Sequence, residues 1–305
     1  MRLPFHTLDV FTDRPFGGNP LGVFPDALHL PTGLMQRIAG EMNLSETVFL
    51  GAAETPQGTA RVRIFTPKVE LPFAGHPTVG TAIFLAGRLP PPRRGESEMR
   101  LLLEENVGLV PVDVRFEDGR PVFARLTTAQ LPEHRPSPHA PAELARMVGL
   151  DTDDVCPDDL PAEMVSCGLP YLVLPVRSLD AVRRATLDVA LWRRMLSESW
   201  AHHVYLVAME AEGADVDVHV RMFAPGSGVP EDPATGSAAA ALGGYLAALS
   251  GREQGTLAWV AEQGLEMGRP SLLHIEADRA RGATTAIRVG GRAVEVSQGT
   301  MQVPD

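Results

Sequence analysis

Two stretches of the chain set groups able to move a proton or hold an anion in front of an uncharged helical pattern. In "LPFAGHPTVGTAIFLAGRL" (residues 71–89) these are Gly75 and His76; in "EDPATGSAAAALGGYLAALSG" (residues 231–251) they are Asp232, Gly236 and Ser237. A helix start leaves N–H groups without partners and carries a partial positive charge, so it attracts carboxylates. Glycine at that point lets a ligand approach the backbone closely. His76 can hold or pass a proton near neutral pH, and a histidine between glycine and proline is a poor core residue. Thr235, Ser237 and Asp232 could equally do no more than cap their helix. "MNLSETVFL" (residues 42–50) adds Glu46, just before Val48 and Phe49. A carboxylic acid beside apolar groups has a raised pKa and can take up and release a proton. Spacing alone does not choose it over Glu41 or Glu70. Asn19, in the turn of "FTDRPFGGNPLGVF" (residues 11–24), either offers a ligand a hydrogen bond or closes the turn.

The elements that must position these groups are mostly short strands punctuated by Gly, Pro and Asp. Alternating patterns predict strands over residues 6–12, 47–53, 60–66, 110–116 and 122–128, and again over 171–176, 203–209, 217–224, 272–277 and 285–291. Helices are predicted over residues 32–43 behind a Thr32 cap, 140–150 and 187–199. The segments at 82–86 and 238–249 are apolar on every face, so each must be enclosed, and each is too short to span a bilayer. One buried central helix per half of the chain is therefore expected. "VRIFTPKVELPFAGHPTVGTA" and "VRMFAPGSGVPEDPATGSAAA" share Val-Arg-x-Phe-x-Pro, a His-Pro or Asp-Pro, and a small-residue helix start. This predicts an internal duplication, with domains over residues 1–118 and 119–305 meeting near the "EDGRP" turn, and with the two helix mouths facing one cleft. The final "GRAVEVSQGTMQV" is left open between the domains, including a return to the first.

Composition narrows the function. The chain has 305 residues, a net charge of -11 and 44% hydrophobic residues, which disfavours nucleic-acid binding. No apolar run reaches the length of a membrane span, and the amino terminus alternates like a strand, so a cytoplasmic protein is expected. Lys68 is the sole lysine, in a turn where a Schiff-base role is not expected. His202 and His203 invite a metal-hydrolase reading. Neighbours on a strand point to opposite faces, however, and no HExxH, CxxC or P-loop spacing occurs; no metal site is expected.

Taken together, "DVFTDRPFGGNPLGVF", "NLSETVFL", "FAGHPTVGTA", "EDPATGSA" and "EQGLEMGRPS" resemble the phenazine-biosynthesis PhzF-like isomerase family, in order and over about 260 residues. The resemblance implies an α+β, diaminopimelate-epimerase-like fold: two pseudo-symmetric domains, each an antiparallel barrel-like sheet around a central buried helix. It implies a cofactor-independent isomerase, usually homodimeric, acting on a small carboxylated metabolite. Glu46, His76 and Asp232 match the family's catalytic glutamate, histidine and aspartate, while Gly75, His76, Gly236 and Ser237 match its substrate-carboxylate site, and Asn19 is a further candidate for binding substrate. Racemases of similar architecture use two cysteines, one before each glycine pair. Here those positions are Ala74 and Thr235, and Cys156 and Cys167 lie elsewhere, so two-thiol racemisation is not expected. A binding relative without catalysis remains the alternative. The loops at residues 90–98 and 132–141, Pro-rich and without clear structure, are expected to choose the ligand.

Overall fold

The computed structural model describes residues 1–93, 95–157 and 160–304, so Arg94 of the first suspected ligand loop lies outside the described residues. The chain divides into two units, Met1–Thr127 with Gly290–Asp305, and Thr128–Val289. No helix among the described residues is long and apolar enough to cross a membrane.

The first unit runs β1 (Arg2–Val10), β2 (Asn19–Phe24), α1 (Thr32–Met42), β3 (Glu46–Gly51), β4 (Ala60–Phe65), β5 (Glu70–Leu71), α2 (Gly75–Ala86), β6 (Glu98–Glu105), β7 (Gly108–Glu117) and β8 (Arg120–Thr127). The second runs β9 (Glu133–Pro136), α3 (Pro141–Met147), β10 (Glu163–Ser166), β11 (Pro170–Val176), α4 (Leu179–Arg184) and α5 (Val189–Met195). It continues with β12 (His203–Ala208), β13 (Val218–Ala224), β14 (Val229–Asp232), α6 (Gly236–Leu249), β15 (Gly255–Gln263), β16 (Ser271–Ala280) and β17 (Ala283–Gly291). The last strand, β18 (Ala293–Gln302), returns to the first unit and pairs antiparallel with β1. The Glu117–Arg120 register makes "EDGRP" a hairpin turn between β7 and β8, well inside the first unit rather than at its edge.

The sheets are not purely antiparallel. β2 pairs parallel with β3 and β4 with β6; in the second unit β11 pairs parallel with β12 and β13 with β15. Parallel neighbours need a crossover, and the helices between them supply it. The strand over 19–24 escapes an alternation search because it is buried along almost its whole length, whereas those over 98–105 and 255–263 start exposed and are covered only towards their ends. β9 occupies part of the suspected ligand loop at 132–141, paired with β10. Thr32 does not cap α1: Pro31 holds the N-cap position and Thr32 is the first helical residue.

Both enclosed helices are as the sequence demands. Nearly every residue of α2 and of α6 is buried, on all faces. Small residues make this possible. A Cβ at Gly80 would lie 2.6 Å from Val10, and one at Gly243 would lie 2.6 Å from Ile275. α1 instead covers the outer face of its sheet, over stacked Phe24 and Phe49 and the edge of Phe65. In the second unit α3, α4 and α5 do the same over Leu172, Leu174, Val204 and Leu206.

Candidate active site

The duplication extends to single residues. Arg63 on β4 makes a two-pronged ion pair with Glu70 (2.8 and 2.6 Å), and Arg221 on β13 makes the same pair with Glu231 (2.8 and 3.0 Å). Counting on from these glutamates, Ala74 corresponds to Thr235, Gly75 to Gly236 and His76 to Ser237. Leu21 stands opposite Glu46 between β2 and β3, as Tyr171 stands opposite His203 between β11 and β12. Glu46 and His203 thus hold one and the same place in the two units.

In the first unit, β2 and β3 start side by side next to the amino end of α2. The turn before β2 is fixed: Asp9 accepts the Phe16 N–H at 2.7 Å, and Gly18 has φ +61° with a Cβ position only 2.3 Å from the Val10 carbonyl oxygen. No larger residue fits there. This delivers Asn19, fully buried, and the Pro20 carbonyl to the helix mouth. His76 is 4% exposed, and its Nδ1 lies 3.4 Å from Oε2 of Glu46. Burial pushes the imidazole pKa down to about 3, against a small opposing effect of its hydrogen bond to Pro20. The contact with Glu46 therefore joins a carboxyl group to a neutral ring. Nε2 has no hydrogen-bond partner among the described residues, so the bond to Pro20 assigns the ring proton to Nδ1 and leaves Nε2 as an acceptor. Glu41 is exposed on α1, and Glu70 is locked by Arg63, which with Asn106 holds its carboxyl below the usual range. Of the three glutamates weighed from sequence, Glu46 is the one beside His76.

Behind this mouth sits a group the sequence reading missed. The Thr78 hydroxyl oxygen lies 2.7 Å from the Ala74 carbonyl and 2.6 Å from Oε1 of Glu105. One hydroxyl proton cannot serve two acceptors. Burial raises the Glu105 pKa to about 8, with Thr78 and Arg61 pulling it part of the way back. The arrangement closes if Glu105 is protonated, donates to Thr78, and Thr78 donates to Ala74.

In the second unit neither Thr235 nor Ser237 caps α6; the N-cap Thr235 makes no side-chain cap hydrogen bond. The Thr235 hydroxyl donates to Asp232 at 2.5 Å and accepts from Gln263 at 3.1 Å. Gln263 also donates to the Asp232 carbonyl at 2.7 Å and accepts from the Thr235 N–H and the Tyr205 hydroxyl. The Ser237 oxygen lies 2.6 Å from that of Tyr171. Asp232 is buried, Ser237 half-buried. His203 is buried against Tyr171, its Nε2 3.0 Å from the Ser227 hydroxyl, and burial with His202 nearby lowers its pKa to about 4. His202 and His203 do touch, ring centroids 4.3 Å apart, because His202 precedes β12 and escapes strand alternation. No metal-ligating cluster occurs among the described residues.

The cysteines do not stand before either glycine pair. Cys167 lies against the second turn of α6, donating to the Ala240 carbonyl at 3.4 Å, and burial pushes its pKa up to about 12. Cys156 is half-buried, and its thiol is likewise pushed up by burial. The missed residues had a sequence signal: "MRLLLEE" ends in Glu104-Glu105 and "LAWVAEQ" in Glu262-Gln263. Glu104 accepts the Glu54 and Thr55 N–H groups, and Glu262 those of Glu212 and Gly213.

Residues 8–299 match the family model described as phenazine biosynthesis-like protein. The chain belongs to that family. It is 40% identical over 297 residues to a protein of Mesorhizobium japonicum described as an uncharacterized isomerase, covering 96% of each. It is 36% identical over 294 residues to the trans-2,3-dihydro-3-hydroxyanthranilate isomerase of Pseudomonas aeruginosa, again covering 96% of each. Among solved structures it is similar to a phenazine biosynthesis protein of the PhzF family from Bacillus anthracis, with a TM-score of 0.87 and 27% identity over 99% of this chain and 100% of that one. The family's architecture is the diaminopimelate-epimerase-like fold expected from the motifs.

Proposed function

We propose that the chain is a cofactor-independent isomerase that moves a proton on a small carboxylated substrate, with Glu46 taking the proton from one carbon and returning it to another. One observation carries the reading: Glu46 lies 3.4 Å from a buried, neutral His76 at the start of a helix that no side chain caps. A neutral imidazole adds no positive charge that would make Glu46 a weaker base. Its Nε2 is suited to accept a hydrogen bond from a hydroxyl or amino group of the substrate, and Asn19 offers a second polar group at the same mouth. Gly75 supplies backbone N–H there. In the second unit the N–H groups of Gly236 and Ser237 hold the substrate carboxylate. Asp232, which accepts from the Thr235 hydroxyl, holds a donor group of the substrate.

The relatives named as trans-2,3-dihydro-3-hydroxyanthranilate isomerases make that compound the first to offer. In deuterated water the purified protein should place deuterium at a ring carbon, and Glu46→Gln, still folded, should lose at least about 10²-fold of that rate. Full exchange in the variant would eliminate the proposal, and binding without exchange in the native protein would make it a binder instead. Activity surviving dialysis against a chelator checks cofactor independence. The family resemblance extends the proposal to a cytoplasmic homodimer, which light scattering and cell fractionation test.

A further inference from the structure

At the second mouth, two tyrosines stand where the first has aliphatic side chains. Tyr171 takes the place of Leu21 and Tyr205, two residues beyond His203, that of Val48. Both tyrosines are buried to within 1% of their surface. Tyr205 reaches Gln263, which holds the Thr235 N–H and the Asp232 carbonyl. Tyr171 reaches Ser237, the second residue of α6, at 2.6 Å. Its ring is fixed on one side by His203, centroids 5.4 Å apart, and on another by Tyr205, at 6.3 Å. A phenol held this firmly cannot follow a mobile partner, so the serine must conform to it.

We infer that Tyr171 is a positioning residue: it donates its phenolic proton to the Ser237 oxygen and so turns the serine's own proton outward, as a donor to the substrate carboxylate. The inference rests on the reading of the α6 mouth as the carboxylate site. A serine hydroxyl has one proton and can accept while it donates. Accepting from Tyr171 makes the Ser237 O–H a stronger donor, and it spares the serine the choice between capping its helix and meeting the ligand. The same substrate atoms then receive a hydroxyl donor in addition to the backbone N–H groups.

The test is a cycle of variants measured with two probes, 3-hydroxyanthranilate, which keeps the carboxylate, and 2-aminophenol, which lacks it. Tyr171→Phe keeps the packed ring and removes the donor. It should weaken 3-hydroxyanthranilate about five- to tenfold, the size of one neutral hydrogen bond, and leave 2-aminophenol unchanged. With a turned-over substrate the loss should fall on KM, with kcat moving less than about threefold. Ser237→Ala should show the same pattern, and adding Tyr171→Phe to it should cost nothing more. 4-Aminophenylalanine at position 171, which restores an N–H donor on a ring of the same shape, should recover the affinity; it also reports on the inference should the phenylalanine variant fold poorly. If Ser237→Ala weakens the carboxylated probe and Tyr171→Phe does not, or if their effects add, the positioning role falls and the carboxylate site stands. If Ser237→Ala itself leaves that probe unaffected, the carboxylate reading fails and takes the inference with it.

Discussion

The two helix mouths share a scaffold and almost none of its chemistry. Each begins after a strand that carries a glutamate paired to an arginine, each starts on glycine, and each is backed by a strand ending in Glu-Glu or Glu-Gln. At the first mouth the diverged places hold Glu46, His76, Leu21 and Val48; at the second they hold His203, Ser237, Tyr171 and Tyr205. The first is poor in hydroxyls and has a carboxyl beside a neutral imidazole. The second is rich in hydroxyls, and its imidazole is shut against a phenol ring. The two units share what folds them, and on the proposed function proton transfer and anion binding fall to different copies.

The sharpest break of this comparison is to treat Glu46 and His203 alike. Glu46→Gln should cut proton exchange into substrate by about 10²–10⁴-fold. His203→Gln, at the equivalent place, should cut it less than about tenfold, through disturbed packing of Tyr171. Equal losses, measured as deuterium uptake by mass spectrometry, would mean that both mouths handle protons and that the division of labour is wrong.

A second contrast concerns the groups behind the mouths. Glu105 and Gln263 end equivalent strands, and a protonated glutamic acid has the shape and donor pattern of glutamine. Glu105→Gln should therefore change stability by less than about 1 kcal/mol, whereas Glu105→Ala, which strips the Thr78 hydroxyl of its buried partner, should cost about 3 kcal/mol. The pH dependence has a definite sign. Glu105 ionises near 8 in the folded chain, against a reference of 4.5, so the folded state binds the extra proton between those values. Its contribution is complete below about 4.5 and fades as pH rises to 8, by up to about 1.4 kcal/mol per pH unit. Denaturant melts at pH 5 and pH 8.5 should show that loss in the native protein and a smaller one in Glu105→Gln. An unchanged slope would mean that Glu105 is not the protonated group.

What the sequence disclosed divides along the same line. The enclosed helices were legible because uninterrupted apolarity allows no other placement, and the duplication because Val-Arg-x-Phe-x-Pro recurs. Motif order placed Glu46, His76, Asp232 and Ser237 at helix mouths. It could not supply the reasons they are held there. Tyr171 and Tyr205 read as ordinary strand residues, since a phenol's partner lies some 60 residues away in sequence: Ser237 for one, Gln263 for the other. Glu105 does not stand out in the sequence, because nothing local shows that Thr78 and a buried helix close over it. The strand over 19–24 was lost for a related reason: buried along almost its whole length, it has no alternation to detect. Capping was the simplest account of Thr235 and Ser237, and tertiary partners overrode it.

The smallest expected effect separates the units at their outer ends. Arg61 and His219 occupy equivalent places, two residues before Arg63 and Arg221. Arginine does not switch its charge as histidine does, and Arg61 donates to the Glu104 carbonyl at 2.8 Å. His219 is fully buried between Glu262 and Glu266, 2.8 Å from each. Burial alone would push its pKa down, but the hydrogen bonds and charges of Glu266 and Glu262 outweigh it and raise the pKa above 6.5. A raised histidine stabilises the fold fully below about 6.5, and that contribution is lost as pH climbs through the higher folded value. Glu266 sits in the turn after β15, where Arg269 and Met267 bond back to the Gly264 carbonyl. Amide exchange in this turn should therefore quicken as pH rises above 6.5, beyond the intrinsic base-catalysed rate. The corresponding stretch after β6, at Asn106 and Val107, should show no such excess. His219→Gln should abolish the pH dependence at a cost of about 1 kcal/mol. If both turns respond to pH alike, the exchange of a permanent for a titrating charge between the two copies has no consequence for their stability.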